Sequence, residues 1–247
     1  KRSGCRAVNT TSYGVRTIRD SHSCFRWNPS LTTGTRSRER SSVLEVSAVL
    51  DAEHIGAWSA SHGVSGNRLL DLTGNKSEGE LTGMERGTCL LPDSEFGGRL
   101  ALAFDGFNDV IDCGIPPGIQ NAVNATLTGW IWKSSSSSTV GFGCSGSSVQ
   151  RISLFWDNGI IYPAVGSEGW GQVTKVGAGW HHIAVVFDGS QTAQTDRLLF
   201  YFDGVKQAIT VPLGGVPTTT QNCGSMKFGK DYESRFCAGK IDRKSVV

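Results

Sequence analysis

What this chain can fold into is constrained most by its punctuation. From about residue 51 onward, short apolar runs recur, each closed by Gly, Asn or Asp, and no convincing long amphipathic helix interrupts them. Runs of that kind, rich in β-branched and aromatic residues and separated by turn formers, build antiparallel sheets. Strands are predicted at 100–104, 110–113, 126–132, 152–156, 160–164, 181–187, 198–202 and 205–209. Phe202-Asp203-Gly204-Val205 sets a two-residue Asp-Gly loop between two of them, where glycine accepts the positive φ that a tight hairpin demands. Trp156-Asp157-Asn158-Gly159-Ile160 repeats the arrangement with one more residue, which predicts a hairpin with a bulge. The five serines at 134–138 read as a flexible loop tip.

Alternation assigns residues to faces. In 126–132, Leu127, Gly129 and Ile131 share one face and Thr128, Trp130 and Trp132 the other. Apolar bulk on both faces predicts a central strand whose second face is covered by a neighbouring sheet or by ligand. In 181–187, Ile183, Val185 and Phe187 share a face with His181, while Ala184 and Val186 lie opposite with His182. That predicts another interior strand, and it points the two histidines apart, so that they do not readily share one ligand.

With 247 residues, the chain is long enough for one large β domain with a real core. Its charge is divided: residues 1–50 hold nine Lys/Arg against three Asp/Glu, whereas 51–247 hold fifteen against nineteen. A basic head can meet nucleic acid or an anionic surface. Its arginines, however, follow no helical register, and the Ser/Thr/Arg-rich composition reads as a solvated extension. The acidic body argues against a nucleic-acid partner, and no apolar run reaches the length that spans a bilayer, so no membrane insertion is expected. Seven cysteines without CxxC pairs or histidines at zinc-ligand spacing argue against zinc; a disulfide or two and free buried thiols both remain open.

Catalytic patterns are sparse. A retaining glucanase needs two carboxylates about 5 Å apart, and the one alternating pair, Asp93-Ser94-Glu95, lies beside Pro92 in what reads as a loop. Gly143-Cys144-Ser145-Gly146 is a glycine-rich loop without the strand–turn–helix setting of a nucleophile elbow. No enzyme activity is expected. Seven tryptophans are many for this length, and aromatic rings commonly grip sugars by stacking. Trp170 stands among glycines in Gly166-Ser167-Glu168-Gly169-Trp170-Gly171 with nothing periodic around it, which makes it the first candidate for an exposed stacking platform, with Trp58 and Tyr162 behind it.

Five blocks occur in an order that resembles the laminin G-like domains of the concanavalin A-like lectin and glucanase superfamily: Leu70-Asp71-Leu72-Thr73-Gly74-Asn75 with Ala103 to Val110; Thr126 to Ile131; Gly179 to Gly189; Phe200 to Val205; and Phe236, Gly239 and Ile241-Asp242. The resemblance covers 51–241 and implies an all-β, two-sheet antiparallel jelly-roll sandwich in which Trp130 and Trp180 are buried and His182 is the family's strand histidine. It also implies that Asp71, Asn75, Asp105, Asn108 and Asp109 come together at one end, where their oxygens would suit Ca2+; the same residues are ordinary turn formers. The pattern breaks at the end. The family continues with an acidic residue and a hydrophobic strand, but this chain reads Asp242-Arg243-Lys244-Ser245-Val246-Val247, which is also what one frame of a common sequencing adapter encodes. The expectation is that 242–247 is a non-native tail and that the closing strand is missing.

The resulting expectation is a non-catalytic, lectin-like recognition module of a longer extracellular, cell-surface or virion-surface protein. Its partner would be a glycan or an extracellular protein, held through several weak sites in oligomers or tandem domains. The alternatives are a structural or protein-interaction sandwich and, further off, a glycan-degrading enzyme.

Overall fold

The computed structural model describes residues 53–246, except 86–88, 96, 135–138, 148, 149, 176, 214 and 232–234. The extension at 1–50 and all but the first of the five serines lie outside the described residues. In chain order the first elements are β1 (Gly56–Trp58), β2 (Val64–Ser65), β3 (Arg68–Leu69), β4 (Gly79–Thr82), β5 (Leu90–Asp93), β6 (Arg99–Asp105) and β7 (Val110–Asp112). Next come β8 (Asn124–Lys133), β9 (Val140–Ser147), β10 (Gln150–Asp157), β11 (Ile160–Val165), β12 (Gly169–Thr174) and β13 (Gly179–Asp188). A helical turn, α1 (Gln194–Arg197), precedes β14 (Leu198–Phe202), β15 (Val205–Gln207), β16 (Thr210–Leu213), β17 (Met226–Phe228) and β18 (Ala238–Val246).

These strands form two antiparallel sheets. One runs β15-β14-β13-β8-β18-β6-β5, with β1 also paired to β18; the other runs β16-β12-β11-β10-β9-β17-β7-β4-β3-β2. The chain is therefore an all-β, two-sheet sandwich. Leu127, Ile131, Ile183, Val185, Phe187 and Phe200 of the first sheet join Phe142, Ile152, Leu154, Trp156, Ile161 and Phe228 of the second in one buried cluster. Each such side chain contributes about 1.5–3 kcal/mol through burial. Both strands with apolar residues on two faces sit inside their sheet, β8 between β13 and β18 and β13 between β8 and β14.

All eight predicted strands have an observed counterpart. Asp203 and Gly204 take φ of 49° and 78° in a two-residue turn, with Phe202 paired to Val205. The hairpin at 156–160 differs from expectation. Asp157 pairs directly with Ile160, leaving Asn158 and Gly159 (φ 46° and 78°) as a second two-residue turn with no bulge, because Asn tolerates the left-handed conformation as Asp does. Residues 143–146 are also not a loop: they belong to β9, whose register puts Gly141 opposite Phe155 and Gly143 opposite Ser153. A Cβ at Gly141 would press on the Phe155 ring, so glycine is what lets this strand pass.

The closing strand is present, contrary to the sequence expectation. β18 occupies the middle of its sheet, pairing Ile241 with Leu102 of β6 and Ile131 of β8. A one-residue shift between Asp242 and Ser245, with Arg243 at φ 44°, then realigns the strand so that Val246 faces Leu127 and is fully buried. Plain alternation hides this: without the bulge Val246 would share the outward face of Asp242. Asp242 itself is 1% exposed, accepts hydrogen bonds from Ser59 Oγ (3.2 Å) and Ala60 N (3.3 Å), and lies 3.1 Å from Arg243 Nε.

Candidate binding groove

The outward face of the ten-stranded sheet carries a groove of about 420 Å³. It is built by alternation. In β10, Ile152, Leu154 and Trp156 point into the core, so Arg151, Ser153 and Phe155 point out. Tyr162 and Ala164 of β11 and Trp170 and Gln172 of β12 continue that surface, while the segment after β17 adds Lys230, Asp231 and Arg235 as a wall.

Two of the three aromatic candidates meet here. Trp170 and Tyr162 stand with ring centroids 6.1 Å apart at 50°, both half-buried, on neighbouring strands. Trp170 lies in a strand rather than an irregular loop. A Cβ at Gly169 would collide with the Val165 carbonyl and crowd Val216 and Pro217, so the glycine that masks the alternation is required by close backbone approach. Trp58 is corrected: it is 1% exposed, packs edge-on against Phe228 at 5.4 Å and donates its indole N–H to Ser77 O at 2.8 Å, so no face remains for a ligand.

The polar groups of the groove are held in place. Arg151 donates from Nε to Gly166 O (3.1 Å) and from Nη2 to Ser167 O (3.4 Å), beneath the turn that joins β11 to β12. Arg235 lies over the Phe155 ring at 4.1 Å, and its Nε and Nη2 reach Asp231 Oδ2 at 2.7 and 2.6 Å, while its backbone N–H donates to Asp231 Oδ1. Sequence reading missed these residues. Arg151 and Ser153 were legible as the outward positions of an alternating strand, but the 229–237 segment has no periodic signal.

The five predicted calcium ligands lie in two turns with separate hydrogen bonds. Asp71 Oδ1 accepts from Ala57 N, Thr73 N and Thr73 Oγ1, and Oδ2 accepts from Ser77 N; Asn75 donates to the His54 and Ile55 carbonyls. Asp105 Oδ1 accepts from Phe107 N and Asn108 N, and Asp109 Oδ2 from Asp105 N. Burial first, then the neighbouring Asp105 charge, pushes the Asp109 carboxyl up. Among the described residues no group of three or more His, Cys, Asp or Glu side chains is arranged to hold a metal ion.

His181 and His182 point to opposite faces: His181 Nδ1 lies 2.8 Å from Asp203 Oδ2, and His182 Nε2 2.9 Å from Thr128 Oγ1. Trp130 and Trp180 are half-buried on the outer face of their sheet rather than in the core, with Arg243 and His182 against the Trp130 ring. Asp93 ends β5 and holds Lys240 Nζ at 2.6 Å, while Glu95 accepts the Trp132 indole N–H, so this pair serves structure. Cys89, Cys113, Cys144, Cys223 and Cys237 are buried free thiols.

No family model matches the chain, and no curated protein matches it. Solved structures do. Over 80% of this chain, a Trypanosoma rangeli sialidase in complex with sialic acid superposes with a TM-score of 0.54 at 14% identity. Domain 4 of an extracellular GH43 arabinanase from Geobacillus stearothermophilus, in complex with arabinotriose, gives 0.54 at 22% identity over 80% of the chain. A botulinum neurotoxin serotype D/C binding domain gives 0.50 at 10% over 78%. What the chain shares with them is the fold, a two-sheet antiparallel β-sandwich. The chain spans 31% of the sialidase, 48% of the neurotoxin chain and 93% of the arabinanase domain. Among the described residues no helix is long and apolar enough to cross a membrane.

Proposed function

We propose that this sandwich is a non-catalytic, laminin G-like carbohydrate-binding module of an extracellular, cell-surface or virion-surface protein. The observation that carries the reading is the Trp170–Tyr162 pair, two half-buried rings on adjacent strands that open onto fixed polar groups. A sugar ring lays its C–H face on such a platform while Arg151, Ser153 and Gln172 meet its hydroxyls. The fold neighbours support a carbohydrate ligand, since the arabinanase domain is seen with arabinotriose and the sialidase with sialic acid.

Binding without turnover is favoured by the carboxylate inventory. Glycoside hydrolysis ordinarily uses two carboxyl groups about 5–9.5 Å apart. Among the described residues lining the groove the carboxylate is Asp231, and both of its oxygens are engaged by Arg235. A shallow groove of this kind binds one glycan weakly, so retention on a surface rests on several copies.

The test is a glycan panel titrated into the full chain, read by tryptophan fluorescence and calorimetry, with and without Trp170→Ala. A glycan whose binding disappears in a correctly folded Trp170→Ala variant supports the reading. Binding that is indifferent to this residue, or no binding at all, overturns it.

A further inference from the structure

We infer that the groove binds a linear glycan lengthwise across the strands, as a stretch of about three sugar residues with one end on Trp170 and Tyr162 and the other at Ser145, rather than a single terminal sugar. The inference rests on the carbohydrate reading and adds the form of the ligand. Its basis is register. Gly143 of β9 pairs with Ser153 of β10, Ser153 with Ala164 of β11, and Ala164 with Trp170 of β12, so four neighbouring strands place these residues in one row on the outward face. The first three are small, and all four line the groove. Larger residues flank the row, with Phe155 opposite Tyr162 on one side and Arg151 on the other. The result is a trench that crosses the strands. Successive strands lie about 4.8 Å apart, so β9 and β12 are separated by about 14 Å, the length of roughly three linked sugar rings.

The two ends differ in chemistry. At β12 the Trp170 and Tyr162 rings offer stacking. At β9, two positions beyond Gly143, Ser145 is 7% exposed and lines the groove. Its backbone N–H donates to Ser225 O at 3.1 Å, but among the described residues its hydroxyl has no hydrogen-bond partner. A hydroxyl so deeply set ordinarily finds one, and it both donates and accepts, as a sugar hydroxyl does. A single sugar seated on Trp170 stays three strands away from Ser145 and does not supply that partner, whereas a chain running along the trench does. Between the ends, Ser153 places a second hydroxyl midway along the floor, and Gly143 and Ala164 keep the floor low enough for sugar rings to pass. The course depends on shape and hydroxyl pairing, not on the charge of the groove.

The experiment titrates linear oligosaccharides of one to six residues, derived from arabinan, xylan and amylose, into the full chain by calorimetry. Ser145→Ala and Ser153→Leu are run alongside, with circular dichroism confirming the fold. On a ladder that binds, affinity is expected to rise roughly 10-fold between one residue and three and to change by less than about 2-fold from three to six. Ser145→Ala should remove the last step, so that three residues bind no better than two. Ser153→Leu, which fills the trench midway, should flatten the whole rise. A single sugar that binds as tightly as the trisaccharide overturns the lengthwise course and leaves the carbohydrate site standing. A rise that survives either variant in correctly folded form does the same. Silence on all three ladders overturns the inference, and the wider glycan panel then decides whether the carbohydrate reading stands.

Discussion

Trp170 and Tyr162 sit 6.1 Å apart, tilted 50° to each other, on the two strands joined by the turn at Gly166. The two rings bound one platform, and they contribute unequally because Trp offers the larger face. Trp170→Ala is expected to weaken glycan binding roughly 10-fold and Tyr162→Ala roughly 3-fold, consistent with about 0.5–1.5 kcal/mol for an aromatic contact. Trp170→Phe should fall between them. Calorimetry on the three variants reads the order, and a larger loss at Tyr162 would show that the ring assignments are reversed.

Asp242 ties the end of the fold to its beginning. Its carboxylate is buried and serves Ser59 and Ala60, so Asp242→Ala leaves those donors without their acceptor and removes the ion pair to Arg243, at a cost of about 3 kcal/mol or more. Asp242→Asn should cost less, since it keeps an oxygen for Ser59. Urea denaturation of the two variants checks this. A stop codon after Ile241 removes Val246 from the core and is expected to prevent folding.

How much of this was legible in the sequence depends on what each residue had to satisfy. Strands such as 126–132 and 181–187 were readable because Leu127 and Ile131 in one, and Ile183, Val185 and Phe187 in the other, alternate as large apolar inward residues. β9 and β12 were not, since Gly141 and Gly169 are dictated by close contacts with distant backbone and side chains, which no local pattern records. β18 was hidden by its bulge. At the groove, Trp170 and Tyr162 were nameable as rings outside the core pattern, whereas Lys230, Asp231 and Arg235 belong to a connection whose position only the tertiary fold defines. Trp58 failed as a candidate for the opposite reason: a tryptophan near turn residues looks exposed until a partner such as Phe228 is in place.

His182 makes the protein sensitive to mild acid. Burial, the largest influence, pushes its imidazole below the ordinary histidine value; the Asp203 carboxylate opposes this and Arg243 adds to it. The unfolded chain therefore takes up the proton first as pH falls. The stability linked to His182 is complete above about pH 6.5 and is lost as pH drops through the lower folded-state value. Melting temperature should decline between about pH 7 and 5, and His182→Gln should flatten that decline. An unchanged profile in the variant would place the acid sensitivity elsewhere.

Calcium is not expected to support binding in the groove, because the Asp71 and Asp105 turns already spend their oxygens on backbone N–H groups and neither lines it. A chelator should leave glycan affinity unchanged. Asp71→Ala should instead lower stability, by about 1–3 kcal/mol, through unsatisfied donors at Ala57, Thr73 and Ser77. Binding lost in chelator and restored by calcium would overturn this.

The buried thiols should be inert. Burial pushes Cys223 up to about 11 and Cys237 up to about 12, and it raises Cys144 well above the usual thiol range. At about pH 8 almost no thiolate forms. Peptide-level mass spectrometry after brief alkylation should find the five described cysteines unlabelled in the native protein and labelled in urea.

The central seat of β18 also governs how this domain must be made. Translation delivers the chain from its N-terminal side at about 5–20 residues per second, and β6 and β8 leave the ribosome long before the strand that lies between them. Until residues 238–246 emerge, two hydrogen-bonding edges in the middle of the sheet face each other without a partner. The core of this sheet therefore cannot close before residues 238–246 have emerged, and nascent chains on crowded polysomes present matching open edges to one another during that interval.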